Sequence, residues 1–171
     1  MRIVKALPLL LLLSCVLNTN EKVDLTDFDY STTDDAELFF KNIRQSEYDL
    51  EEMKEAQMNI FTLKGRKQEA PIWPTIIHNW SLDQATIWLQ VDSSLQRPIE
   101  ILIKTGGAEE NLFFEGESRQ EHLIVANKLF EATLDSAQVF VNGQEVMDIT
   151  SSYRSDYRIV MNDYYRLVGL K

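Results

Sequence analysis

Apolar and polar residues alternate with a period of two along the middle of the chain. Ile76, His78 and Trp80 alternate with Ile77 and Asn79. Ile87, Leu89 and Val91 alternate with Trp88 and Gln90, and Ile99, Ile101 and Ile103 with Glu100, Leu102 and Lys104. This is the spacing of strands with one packed face. Turn-forming stretches at 92–98 and 105–111 separate the runs, the second containing Gly106-Gly107, and Leu112-Phe113-Phe114 follows as a further run. The pattern predicts an antiparallel meander over residues 86–115. Met58 to Lys64 alternates in the same way and is broken by Gly65-Arg66-Lys67.

Past residue 117 the period changes. Ser118-Arg119-Gln120-Glu121 matches a capping box, in which Ser118 accepts from the backbone and Glu121 reaches back. Leu123, Ala126, Phe130 and Leu134 follow at helical spacing, so a helix is expected at 119–134. Asn142-Gly143 between two short apolar runs predicts a hairpin at 139–146. Several candidate N-caps in 148–152 precede a stripe of Tyr153, Tyr157, Val160, Tyr164 and Leu167, with Gly169 at the end. That predicts a second helix at 152–167, its tyrosines packed with their hydroxyls reaching the domain edge. Residues 34–57 carry two patterns. Phe39, Ile43, Leu50 and Met53 form a helical stripe behind Asp34, Asp35 and Glu37, whereas residues 38–43 also suit a strand. A strand at 38–45, pairing with 58–64, is the expectation. Together these elements describe one α+β domain over residues 34–171. It is expected to hold a single mostly antiparallel sheet of about five to seven strands, with both helices on one face.

Composition narrows the function. Lys and Arg total 17 against 27 Asp and Glu, a formal charge of −10. No basic surplus exists to neutralise phosphates, so a nucleic-acid partner is not expected. One Cys and two well-separated His exclude a disulfide framework and a zinc finger, and no metal or cofactor is expected. The charge is also uneven. Residues 21–55 hold 12 acidic and 4 basic residues. Residues 16–33 are polar, acidic and aperiodic, so residues 15–33 are expected to act as a flexible tether.

The amino-terminal residues place the chain. Arg2 and Lys5 precede an apolar run, Ala6 to Leu13, with six Leu and one Pro. The run is shorter than the about 20 residues needed to cross a bilayer. A positive segment, a short apolar core and a small residue form a secretory signal. Leu12-Leu13-Ser14-Cys15 then resembles the lipobox of bacterial lipoprotein precursors. The resemblance covers about the first 15 residues. It implies that residues 1–14 are a signal peptide removed after Ser14, and that Cys15, the sole cysteine, carries a diacylglyceryl group and an acylated amino terminus. Leu13 departs from the small or β-branched residue commoner at that position. Val16 stands where an Asp would imply retention in the inner membrane, so the resemblance implies the outer membrane of a two-membrane bacterium. Removing residues 1–14 leaves a formal −12. A surface this acidic is repelled by anionic lipid, so acyl chains rather than a basic patch would hold the protein to the membrane.

No catalytic constellation stands out in residues 16–171. Gly116-Glu117-Ser118 lacks the second Gly of a nucleophile elbow, and Ser118 is better used as a helix cap than as a partner of His122. His78 and Asp83 form a candidate dyad without a nucleophile. Carboxylates are plentiful, but their separation is invisible in sequence. The aromatic residues are the best lead. Trp73 lies in Pro71-Ile72-Trp73-Pro74, where the prolines disfavour a central strand. It is expected to stand partly exposed on a loop, in contact with a partner or a glycan. Trp80 and Trp88 are expected in the core or in cross-strand pairs. The expected function is therefore a membrane-anchored envelope lipoprotein, held through Cys15 and acting as a non-enzymatic structural or interaction module on an envelope protein or glycan. A carboxylate-using hydrolase and a glycan or small-ligand binder are the alternatives.

Overall fold

The computed structural model describes residues 21–26, 28–65, 70–147 and 152–171. The expected signal peptide at 1–14, Cys15, residues 16–20 and the N-cap candidates at 148–151 lie outside the described residues. The fold is α+β. Its strands are β1 (Tyr48–Met53), β2 (Met58–Leu63), β3 (Ile72–Asn79), β4 (Gln84–Val91), β5 (Ile99–Thr105), β6 (Ala108–Phe114), β7 (Gln138–Val141) and β8 (Gln144–Met147). Its α-helices are α1 (Asp34–Phe39), α2 (Arg119–Leu134) and α3 (Ser152–Leu167).

The strands form two four-stranded antiparallel sheets, in the orders β1-β2-β3-β4 and β6-β5-β7-β8. The single sheet expected from sequence is thereby corrected. β5 pairs with β6 and β7 and not with β4, so the 86–115 meander is interrupted between β4 and β5. Alternation reports that one face of a strand is packed and carries no information about which strand lies alongside. The helices do not cover one face of one sheet either. α3 packs on β3 and β4, while α2 touches β4, β6 and β7 and also packs on α3. The Leu89 N–H on the outer edge of β4 donates to His122 Nδ1 of α2 at 2.9 Å, so that sheet edge ends against a helix. One continuous core joins both sheets and both long helices.

Helices α2 and α3 occupy the expected spans, and so does the 139–146 hairpin, whose Asn142 and Gly143 both take positive φ. Ser118 Oγ caps α2 by accepting from the Glu121 N–H at 3.1 Å. Glu121 reaches further back than a capping box requires, accepting from the Glu115 and Glu117 N–H groups at 2.6 and 2.9 Å. The α3 tyrosines are packed as expected, but their hydroxyls end inside the fold. Tyr157 donates to the Ala126 carbonyl at 3.2 Å and Tyr153 to that of Ile72.

Residues 38–45 are helical, not the expected strand. Thr33 Oγ1 accepts from the Ala36 N–H, Asp34, Asp35 and Glu37 occupy the first turn, and α1 runs into a π-helical turn at Phe40–Arg44. The inward residue is Phe40, which packs with Tyr48 and Phe61 at ring-centroid distances of 5.5 and 5.0 Å. Leu38 and Ile43 face solvent. The strand that pairs with β2 is the acidic 48–53 segment, in register from Tyr48↔Leu63 to Met53↔Met58. It is an edge strand guarded by charge. The described part of the expected tether is packed on the domain. Tyr30 and Thr32 are buried, Val23, Leu25 and Phe28 lie against the core, and Lys22 pairs with Asp135 at the end of α2.

Candidate functional site

The tryptophans exchange the places expected for them. Trp73 lies in β3 opposite Gln90, is 1% exposed, and sits 5.2 Å from the Tyr153 ring. The exposed loop contact expected at Trp73 is therefore corrected. The prolines are accommodated because β2 pairs with β3 only from Phe61↔Ile76 to Met58↔Asn79. At Pro74 the strand has β4 alone as a neighbour, where a missing N–H is tolerated. Trp80, just past β3, is 47% exposed, and Trp88 is 36% exposed with its ring stacked on His122 at 3.6 Å.

Neither His joins the partner weighed for it in the sequence. His122 is fully buried, and its Nδ1 accepts from Leu89, so the ring proton resides on Nε2. Burial pushes its pKa down to about 4 against the opposing influence of the Gly116 backbone and Glu121, and a nearby Arg97 charge lowers it further. Asp83, the partner expected for His78, turns the chain with φ 50° and receives the Thr32 N–H on its carbonyl at 2.8 Å.

His78 pairs instead with Glu37, Nε2 to Oε1 at 2.9 Å. The same oxygen accepts from the Thr32 hydroxyl at 2.6 Å, and Lys41 Nζ lies 3.6 Å from Oε2. Burial raises the Glu37 carboxyl, but Thr32, His78 and Lys41 together outweigh it and hold the group below the usual glutamate range. Here the carboxylate sits between the hydroxyl and the imidazole. A nucleophilic triad needs the imidazole between the other two, so Thr32 has no base to take its proton. The cluster instead ties the segment before α1, the first turn of α1 and the middle of the first sheet together.

Three of these residues border an open cleft of about 690 Å³, lined by Glu37, Lys41, Glu52, Lys54, Met58, Asn59, His78 and Trp80. The register places Glu52, Asn59 and His78 side by side across β1, β2 and β3. Helix α1 and the π-helical turn after it supply the opposite wall through Glu37 and Lys41. Glu52 lies 3.7 Å from Lys54. Two acidic and two basic side chains thus meet in the cleft, each beside an opposite charge. The signal for this site in the sequence is Trp80 at the end of an alternating run. The contribution of Glu37 depends on α1, which the sequence reading replaced with a strand. Among the described residues, no three His, Cys, Asp or Glu side chains group closely enough to hold a metal ion, and no helix is long and apolar enough to cross a membrane. Comparison with known proteins finds no matching family model, curated protein or solved structure.

Proposed function

We propose that the chain is a lipid-anchored lipoprotein of the cell envelope, acting without catalysis as an interaction module that presents the Glu37–His78–Trp80 cleft away from its membrane. The anchor is Cys15, on the resemblance of Leu12-Leu13-Ser14-Cys15 to a lipobox, and Val16 favours the outer membrane.

The observation that carries the orientation is the course of residues 21–33 along the helices. Lys22 is held by Asp135 at the carboxyl end of α2 at 2.8 Å. Tyr30 lies under Arg119 at its amino end, with the guanidinium 4.4 Å from the ring centre. The cleft is at that second end, since Arg119 also bonds Gln84 at the start of β4, four residues past Trp80. A 16-residue α2 separates the two ends by about 24 Å. The six residue-to-residue steps from Cys15 to Glu21 reach at most about 20 Å. Acylation at Cys15 would therefore hold the Asp135 end near the lipid and turn the cleft outward. The two or more acyl chains of a processed lipoprotein supply the stable residence that one chain does not.

Detergent phase partitioning of wild type and Cys15→Ser tests this reading. Wild type is expected in the detergent phase and Cys15→Ser in the aqueous phase, with the same circular dichroism spectrum. Wild type in the aqueous phase would contradict the anchor.

A further inference from the structure

We propose that the cleft between α1 and the β1–β2–β3 end of the first sheet binds a neutral saccharide, with the Trp80 indole as the stacking platform and the Asn59 carboxamide as a hydrogen-bonding group. The inference rests on the reading above for the cleft being the interaction face, and does not depend on Cys15 being acylated.

Charge is the first argument. The protein is strongly acidic, with 27 Asp and Glu against 17 Lys and Arg, yet this cleft is balanced. Glu37 is engaged by Thr32, His78 and Lys41, and Glu52 lies beside Lys54. A charged ligand would have to displace an existing partner, whereas a neutral one need not. The second argument is what remains available. Among the described residues, the half-buried Asn59 carboxamide and the Trp80 indole N–H make no hydrogen bond, and the Trp80 ring stacks on no other ring. An amide in a concave site that no protein group engages is open to a ligand's hydroxyl.

Shape is the third argument. A pyranose presents C–H groups on one face and hydroxyls around its rim. An exposed indole covers the first, while an amide, carboxylate oxygens and lysine ammonium groups can bond the second. The volume of about 690 Å³ lies within the about 300–1,000 Å³ of small-molecule sites and leaves room for more than one sugar ring. The flanking charges at Glu52 and Lys54 are exposed and suit the rim of such a site.

The test uses the chain as isolated from cells, in a zwitterionic detergent that carries no sugar headgroup. It is applied to an array of immobilised neutral oligosaccharides, with acidic and basic peptides on the same surface. The best-retained oligosaccharide is then titrated calorimetrically. Retention of at least one neutral oligosaccharide is expected. Trp80→Ala is expected to weaken binding about tenfold or more, Asn59→Ala several-fold, and Trp80→Phe to keep most of the affinity. Denaturation midpoints are expected to stay close to wild type, because Trp80 is exposed and touches no other ring. Retention of peptides alone, no retention of any oligosaccharide, or equal affinity in Trp80→Ala would overturn the proposal. Phase partitioning of the same preparation reports on the anchor separately, so either reading can fail without the other.

Discussion

His122 is a neutral imidazole locked in a dry site. Its Nδ1 accepts the Leu89 N–H, its ring stacks on Trp88 at 3.6 Å, and Phe114 meets it edge-on at 4.9 Å. Burial holds its pKa at about 4, while an unfolded His titrates near about 6.5. Between those values the unfolded chain binds the proton more tightly, so stability falls as pH drops from about 6.5 and the loss is complete below about 4. The full shift corresponds to about 3 kcal/mol. Urea denaturation across that window should show a distinctly shallower loss in His122→Gln than in wild type, and equal slopes would assign the acid sensitivity elsewhere. Trp73 makes the opposite kind of prediction. It is buried against Tyr153, so Trp73→Ala is expected to lose about 3–5 kcal/mol. A loss under about 1 kcal/mol would mean that the indole does not belong to the core.

At the scale of elements, the Asp163 carboxylate ties the segment from α1 to β1 to α3, beside the Arg166 guanidinium over the Phe39 ring. Arg44 Nε bonds both oxygens of Asp163 at 2.9 Å, and the Tyr48 hydroxyl donates to Oδ2 at 2.7 Å. Burial raises the Asp163 carboxyl more than Tyr48 and Arg44 lower it, so the pair is stabilised less than its geometry suggests. Removing one partner is nonetheless costly, because the other charge is left poorly solvated. Asp163→Asn is expected to lose about 2–3 kcal/mol by chemical denaturation. A neutral result would show that the Arg44 side chain, 26% exposed, finds water instead. The same elements show what the sequence revealed and what it concealed. Helices α2 and α3, of 16 residues each, were legible because a capping box and a periodic stripe agree in the first, and a periodic stripe and the Gly169 stop signal agree in the second. The 34–57 segment was not, because its helix has only six residues before the π-helical turn and its strand is exposed at every position but Tyr48. Its inward residue, Phe40, lies one position from the apparent stripe at Phe39 and Ile43. The tryptophans were misplaced for a related reason. Alternation assigned Trp80 to a packed face although the strand ends at Asn79, and Pro74 marked a loop although the strand is locally an edge.

At the scale of the whole molecule, one polypeptide path relates the two ends. Residues 21–26 and 28–33 lead along the helices from Asp135 to the start of β4, and α1 then brings Glu37 to the cleft. A tether was expected over this stretch because it is acidic and aperiodic. Its few apolar residues, Val23, Leu25, Phe28 and Tyr30, are nevertheless the ones that pack. The cleft therefore has a fixed distance from Glu21, and acylation at Cys15 would fix its direction. The balanced cleft on an otherwise acidic protein gives that end a surface unlike the average of the molecule. The most direct measurement is mass spectrometry of the amino-terminal peptide from the protein isolated from cell membranes. The expected peptide begins at Cys15 and carries the added mass of a diacylglyceryl group and an amide-linked acyl chain. A peptide that retains residues 1–14 joined to an unmodified Cys15 thiol would contradict the anchor, and with it the orientation of the molecule.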